Sequence, residues 1–373
     1  MIHIVAERSI PYLRGIAERV GRVTYLDNAD FCPETIASAD ALLVRSITRC
    51  NAALLEGSRV RYIATATAGF DHIDADYCQR HGIGWSNAPG CNATAVAQWV
   101  LSALSGYALQ SGYLLSGKVL GIVGVGHVGQ EVERLAPALG LRTLLCDPPR
   151  AERGDEGEFV SLEEICRESD IITLHVPLSS SGAYPTRGMV GEAFVRSCRR
   201  RPILINACRG GVTQTEALLQ GKREGSLRAL MIDCWEAEPH ISAELLAEAE
   251  VVSPHIAGFS ADGKFAGSRM ALGAICRHWG LELEGLMNWD EVPAPASPVI
   301  DLSGRSGEEA LLYALTQTLS IPKRVGDRLR ADATAFEELR KGYDYPREMR
   351  AYTIVGAPRE LEDRLRRLDF SIG

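Results

Sequence analysis

The sequence predicts an α/β protein: two doubly wound parallel-sheet domains followed by a small C-terminal α+β module. Two observations carry this. Short runs rich in Val, Ile and Leu alternate with longer amphipathic segments from the first residue to about residue 280, and runs apolar on both faces and separated by helices mark parallel sheets covered on each side. The series also restarts. One set of runs closes near Asn87 and a second opens at Lys118, so two sheets are expected rather than one.

In the first domain, residues 1–92, the segments IHIVA, ALLVRS, RYIATA and GIGWSN read as strands with helical patterns between them. The segment ATAVAQWVLSALSGYALQ places Val96, Val100, Leu101 and Leu104 at helical spacing, with Asn92 as a candidate N-cap, and leads into the second domain. That domain, residues 93–262, carries KVLGIVGV, LRTLLCD, DIITLHV, PILINA, LRALMIDC and AEVVSPHI as strands. From Gly263 to about Gly285 the pattern is helical again, with Met270, Leu272, Ile275 and Trp279, and crosses back to complete the first domain. The proline-punctuated VPAPASP then separates a third module, residues 286–373. It holds two helical patterns (EEALLYALTQTL and TAFEELRKGY), an apolar run (RAYTIVG) and a charged last helix (ELEDRLRRL).

Composition excludes several classes. With 373 residues, 46% of them hydrophobic, the chain has material for two or three cores. A net charge of −8 and the lack of any basic block argue against a nucleic-acid partner. The apolar stretches fall short of the roughly 20 residues that a bilayer span requires. Glu7 and Arg8 interrupt the N-terminal apolar run where an export signal needs it unbroken, so a cytoplasmic protein is expected. The ten cysteines are scattered, with no C-x-x-C pair, and read as buried reduced thiols; no metal site is expected.

The strand VLGIVGV runs into GVGHVG, placing Gly124, Gly126 and Gly129 at G-x-G-x-x-G spacing before the helical QEVERLAPAL. Gly124 permits the tight turn, Gly126 lets the backbone approach a pyrophosphate, and Gly129 allows close packing of helix on strand. His127 and Val128 open the helix, whose free N–H groups suit the pyrophosphate. The next strand ends in Asp147, where an acid that binds ribose is expected. A carboxylate there repels a 2′-phosphate, so the cofactor is NAD rather than NADP, with Arg150 as the one reservation.

Three ionisable residues follow successive strand ends downstream: Arg209 after ILINAC, Glu238 after LMIDCWEA, and His255 in VVSPHIAG. In a doubly wound sheet these ends face the ligand. The set suits oxidation of a 2-hydroxy acid: Arg209 grips the carboxylate, His255 takes the hydroxyl proton as hydride leaves the same carbon, and Glu238 accepts the other ring N–H and stabilises the imidazolium. His72, His175 and His127 have no partner in sequence that would make them a second base.

The motifs NACRGG, WEAEP and SPHIAG, in this order behind the fingerprint, closely resemble the D-isomer-specific 2-hydroxyacid dehydrogenase family; TAGFDHID and NAPGCNATAVAQWV extend the likeness through the first domain. The resemblance implies a Rossmann NAD-binding domain and a substrate-binding domain. It places catalytic roles on Arg209, Glu238 and His255, and cofactor contacts on Ala207, Cys208, Asp233 and Gly258, Asp233 meeting the nicotinamide carboxamide. Within the family the likeness is greatest to members that oxidise 4-phospho-D-erythronate in pyridoxal 5′-phosphate biosynthesis, on NAPGCNATAV, the short connection SGYLLSGKVLGIVG and SPHIAGFSADGKFAGSRM. A C-terminal dimerisation domain, and so a homodimer, goes with that subgroup. Alternatives are a sibling acting on 3-phosphoglycerate or an unphosphorylated 2-hydroxy acid, and an NAD(H)-sensing corepressor of the same fold.

For a phosphorylated substrate on an acidic protein, local donors must do the binding. The resemblance puts Ser46 and Thr67 at substrate positions, with Arg45 beside them. Phe259 stands where many relatives carry tyrosine, and is expected only to pack against substrate. In KGYDYPREMR, Lys341, Arg347 and Arg350 form either a solvated basic face or a contact that a dimer delivers to its partner's substrate phosphate.

Overall fold

The structure, a computed structural model, describes residues 1–282, 284–319 and 321–373. It divides into two compact units: residues 1–92 with 260–293, and residues 93–259 with 294–373. No helix among the described residues is long and apolar enough to cross a membrane.

The first unit holds a five-stranded parallel sheet of β1 (His3–Glu7), β2 (Arg22–Leu26), β3 (Ala41–Val44), β4 (Tyr62–Thr65) and β5 (Gly84–Ser86) in the order β2-β1-β3-β4-β5. Side chains alternate across it as the pleat requires. Ile4, Ala6 and Leu43 join one core with Phe265, Leu272 and Ile275, while Val5, Leu42 and Val44 join another with Ile36, Leu54 and Cys78. The order reverses between β1 and β3, so the loops after them, Arg8–Ser9 and Arg45–Thr48, meet at a topological switch point, where open α/β sheets bind ligands. Helix Ala261–Trp279 covers one face, capped by the Ser260 hydroxyl on Gly263 N–H. It stops at Gly280 in the left-handed conformation (φ +64°), short of the expected Gly285, because Gly supplies the C-terminal turn at no steric cost.

The second unit has six parallel strands: β6 (Val119–Val123), β7 (Arg142–Cys146), β8 (Ile171–Leu174), β9 (Ile203–Asn206), β10 (Ala229–Ile232) and β11 (Val251–Val252), ordered β11-β10-β9-β8-β6-β7. Leu120, Ile122, Ile203, Ile205 and Met231 face one core; Val123, Ile172, Leu204 and Ile232 face the other. Burial on both faces explains why these strands read as unbroken apolar runs. The switch point lies between β6 and β8, beside the glycine-rich turn.

Residues 294–373 belong to the second unit and share its first core, through Ile300, Leu311, Leu315 and Ile354 packed with Val100, Leu101 and Leu104 of helix Ala93–Ser111. They also form their own parallel sheet of β12 (Val299–Asp301), β13 (Thr353–Val355) and β14 (Ser371–Ile372). Between these lie helices Gly307–Thr318, Ile321–Ala331, Phe336–Lys341 and Glu362–Arg367. The TAFEELRKGY pattern is helical only from Phe336 to Lys341, after a single 3₁₀ turn at Ala333–Ala335.

Candidate active site

The glycine turn is built for close approach. Gly124 has φ +89°, and a Cβ there would stand 2.7 Å from the His175 carbonyl. A Cβ on Gly129 would sit 2.1 Å from the Gly124 oxygen, which is how helix His127–Leu135 lies so near β6. A Cβ on Gly126 would meet no other part of the chain within 4 Å, so the side it would occupy is open. His127 is exposed at the first helical position and Val128 is half-buried. Asp147 directly follows β7, with Oδ2 accepting from Val125 N–H (2.8 Å) and Oδ1 from Arg150 N–H (3.1 Å). Each oxygen keeps a lone pair for a ribose hydroxyl. The Arg150 guanidinium is committed elsewhere: to Asp155 (3.0 Å), to the Val125 carbonyl (2.9 Å) and across the Phe159 ring. That removes the reservation over Arg150. These residues fit a dinucleotide whose ribose carries no 2′-phosphate.

Strands β9, β10 and β11 deliver the ionisable residues from one end of the sheet. His255 Nδ1 lies 2.7 Å from Glu238 Oε2. A carboxylate can only accept, so Nδ1 carries the hydrogen and Nε2 keeps its lone pair. Glu238 is itself fixed by Trp235 N–H on Oε1 (2.7 Å), and Trp235 in turn donates its ring N–H to the Ser253 carbonyl. Arg209 sits on the adjoining loop, its Nη1 donating to the Cys208 carbonyl (2.8 Å). That loop is pressed on the Trp235 loop: a Cβ at Gly210 would overlap the Trp235 carbonyl at 1.7 Å. The fully buried Asn206 amide ties the two together, donating to the carbonyls of Arg209 (3.2 Å) and Cys234 (3.1 Å). Ala207 and Cys208 are buried just before Arg209, and burial pushes the Cys208 thiol up to about 11.

Asp233 has a structural task that sequence does not reveal. It is buried, and its oxygens accept from Ser253 Oγ (2.5 Å), Ile256 N–H (2.7 Å) and Ala257 N–H (3.0 Å). Its carbonyl accepts from His255 N–H (2.8 Å). The loop that carries His255, at φ +55°, and leads to the half-buried Gly258 is thus wrapped on Asp233. Burial raises the carboxyl, opposed by His255 and by these hydrogen bonds. Cys234 Sγ and one donor atom each from Glu238 and His255 fall within 4.8 Å of one another. A metal ligand must be a thiolate, whereas burial beside Asp233 pushes this thiol well up, so the chemistry favours an acid–base pair against a neutral thiol.

In the first unit, Arg45 follows β3, and its N–H bonds Glu7 Oε2 (3.0 Å) while Nη1 reaches Ser9 Oγ (3.3 Å). Glu7 is buried and also accepts from Thr48 Oγ1 (3.1 Å) and Ser9 Oγ (2.5 Å), so it holds the loop on which Ser46 stands exposed. Its only sequence signal is a charge closing an apolar strand. Thr67 departs from the expectation of a ready donor. Its hydroxyl hydrogen goes to the Gly69 carbonyl (2.8 Å), so it accepts from Thr65 (2.7 Å), which accepts from His72 Nε2 (3.0 Å). Thr67 offers an oxyanion no hydrogen unless that bond opens. His72 is buried and burial lowers it; His175, bonded to Thr173, is lowered by burial to about 3 and stays neutral.

Of the C-terminal cations, Arg350 pairs with Glu348 (3.0 Å) and the exposed Lys341 lies 3.8 Å from Glu337. The Arg347 carbonyl accepts from Gln98 (3.3 Å). Phe259 packs on the first core of its unit and meets the rings of Tyr343 and Tyr345.

Comparison with known proteins identifies the family. Residues 93–257 match the family model described as D-isomer specific 2-hydroxyacid dehydrogenase, NAD binding domain. The chain is 53% identical over 371 residues to erythronate-4-phosphate dehydrogenase of Porphyromonas gingivalis, covering 98% of this chain and 99% of the relative. It is 43% identical to erythronate-4-phosphate dehydrogenase of Bacteroides thetaiotaomicron, covering 95% and 99%. In fold it is similar to the NAD⁺-bound 3-phosphoglycerate dehydrogenase of Entamoeba histolytica, with TM-score 0.62, 23% identity and coverage of 75% of this chain and 95% of that one. The chain belongs to the D-isomer specific 2-hydroxyacid dehydrogenase family and is an NAD-dependent oxidoreductase of that family.

Proposed function

We propose that the protein oxidises 4-phospho-D-erythronate with NAD to (R)-3-hydroxy-2-oxo-4-phosphooxybutanoate, a step of pyridoxal 5′-phosphate biosynthesis. The contact of 2.7 Å between Glu238 and His255, on loops beside a dinucleotide turn, carries the reaction. The 53% identity to an erythronate-4-phosphate dehydrogenase supports the substrate. Bound at the glycine turn, NAD supplies the acceptor for the hydride from C2. His255 Nε2 accepts the C2 hydroxyl proton as the C2 hydrogen departs with its electron pair and the carbonyl forms. Glu238 holds the imidazole in the tautomer this needs and neutralises the imidazolium. Arg209 pairs with the substrate carboxylate and polarises the carbonyl, and Asp233 keeps the His255 loop in register.

In the same reading the protein is cytoplasmic and works as a homodimer through residues 286–373. Support for the dimer comes from the family resemblance and from Val299, 54% exposed on the edge strand β12. Light scattering at a dimer mass supports it and a monomer mass rejects it.

Formation of the substrate's own 2-oxo product by purified protein, with a different 2-oxo acid present to reoxidise retained NADH, tests the reaction. We expect kcat/KM for 4-phospho-D-erythronate to exceed that for 3-phosphoglycerate and D-lactate by about tenfold or more. Faster turnover of either competitor rejects the substrate, and no 2-oxo product from any of them rejects the reaction.

A further inference from the structure

Arg340 lies in the last turn of helix Phe336–Lys341, whose carbonyl end favours a cation. Its Nε donates to the His255 carbonyl (3.3 Å), and its guanidinium carbon lies 5.6 Å from the centre of the Phe259 ring. The residues just after it hold the same loop: the Tyr343 and Tyr345 rings lie 6.5 and 5.7 Å from Phe259. Burial and the neighbouring Asp233 push the Tyr343 phenol up, so it stays a neutral hydroxyl. The C-terminal segment therefore reaches the catalytic loop within its own chain.

Charge makes this arrangement informative. Arg340 is half-buried, yet among the described residues no carboxylate pairs with it and its terminal nitrogens have no hydrogen-bond acceptor. A guanidinium partly withdrawn from water without a counter-charge is a site for an anion. The substrate proposed above has two anionic ends, and the carboxylate is taken by Arg209. On a protein of net charge −8 the phosphate needs a local cation near the same histidine.

Resting on the substrate assignment above, we propose that Arg340 is a specificity-determining residue that receives the substrate phosphate on its terminal nitrogens, from the same chain as His255. The sequence alone offers Lys341, Arg347 and Arg350 either as a solvated basic face or as a partner's contact to the phosphate. Arg350 is paired with Glu348, whereas Arg340 carries no such pairing.

The test compares wild type with Arg340→Met and Arg340→Lys on 4-phospho-D-erythronate and on D-erythronate, which lacks the phosphate. Arg340→Met is expected to raise KM for the phosphorylated acid by about tenfold or more, so that discrimination between the two acids collapses, with Arg340→Lys recovering part of it. A second arm uses inorganic phosphate as an inhibitor of whichever acid is turned over, so it reads Arg340 even if the substrate assignment fails. Competitive inhibition by phosphate in wild type that weakens about tenfold in Arg340→Met supports the site. Loss of kcat by the same factor on both acids, with phosphate inhibition unchanged, assigns Arg340 only to holding the His255 loop and overturns the proposal. No change in KM or in phosphate inhibition overturns it as well. NADH binding followed by fluorescence confirms that each variant is folded.

Discussion

His255 Nδ1 and Glu238 Oε2 stand 2.7 Å apart, on loops that follow different strands of one sheet, and this contact leaves Nε2 as the free basic nitrogen. Replacing His255 by Asn removes the base and keeps a side chain that can bond Glu238. We expect kcat to fall about 10²- to 10⁴-fold. NADH affinity, measured by fluorescence titration, should change little because the glycine turn is untouched.

Asp233→Asn tests the clamp under the catalytic loop. Four donors converge on the two carboxylate oxygens, from Cys234 Sγ, Ser253 Oγ and the N–H groups of Ile256 and Ala257. An amide offers one acceptor oxygen and turns an N–H₂ toward the other donors. The expected cost is about 1–3 kcal/mol of stability in urea unfolding, with a drop in kcat from misplacement of His255. A variant as stable and active as wild type shows that the clamp is dispensable.

Gly129→Ala introduces a Cβ 2.1 Å from a backbone oxygen, a contact that no rotamer relieves. Helix His127–Leu135 must move off β6, carrying with it the N–H groups that face the pyrophosphate. Overpacking of this kind costs about 1–3 kcal/mol. NADH affinity should fall together with the melting temperature, and calorimetry alongside titration measures both.

The pH dependence of stability has one clear contributor in His175. Burial lowers its imidazole to about 3, against an unfolded value of about 6.5. The unfolded chain therefore binds the extra proton between these values. The stabilisation is complete above about 6.5 and is lost progressively as pH falls toward 3. His175→Gln, which keeps a donor toward Thr173, should flatten the fall of the urea midpoint between pH 7 and pH 5. Parallel curves for the two proteins would contradict this.

Strands buried on both faces, such as Ile203–Asn206, are visible in sequence because the pleat demands apolar residues at every position. The edge strand Arg22–Leu26 is not: it has one neighbour, and its exposure alternates with Arg, Thr and Tyr in place of an apolar run. Helix Ile321–Ala331, rich in Arg and split by Gly326, also lacks a signal strong enough to read. The glycine turn and the order Arg209, Glu238, His255 are local motifs, so the candidate site is legible in outline. Its supports are not. Asp233 reaches the 253–257 loop, Asn206 reaches Cys234, and Arg340 reaches His255 across 85 residues, and such contacts exist only once the strands have paired. Glu7 shows the same limit from the other side, a charge whose use depends on β1 lying beside β3.

The most direct test of the central claim, that the Glu238–His255 pair moves the proton, is the pH–rate profile of 2-oxo acid reduction by Glu238→Gln beside wild type, measured with saturating NADH. Loss of the carboxylate removes the charge that stabilises the imidazolium, so the limb that reports the protonated histidine should shift to lower pH, with kcat reduced at neutral pH. A profile that keeps its position and height would show that Glu238 is not coupled to the base, and would contradict the account.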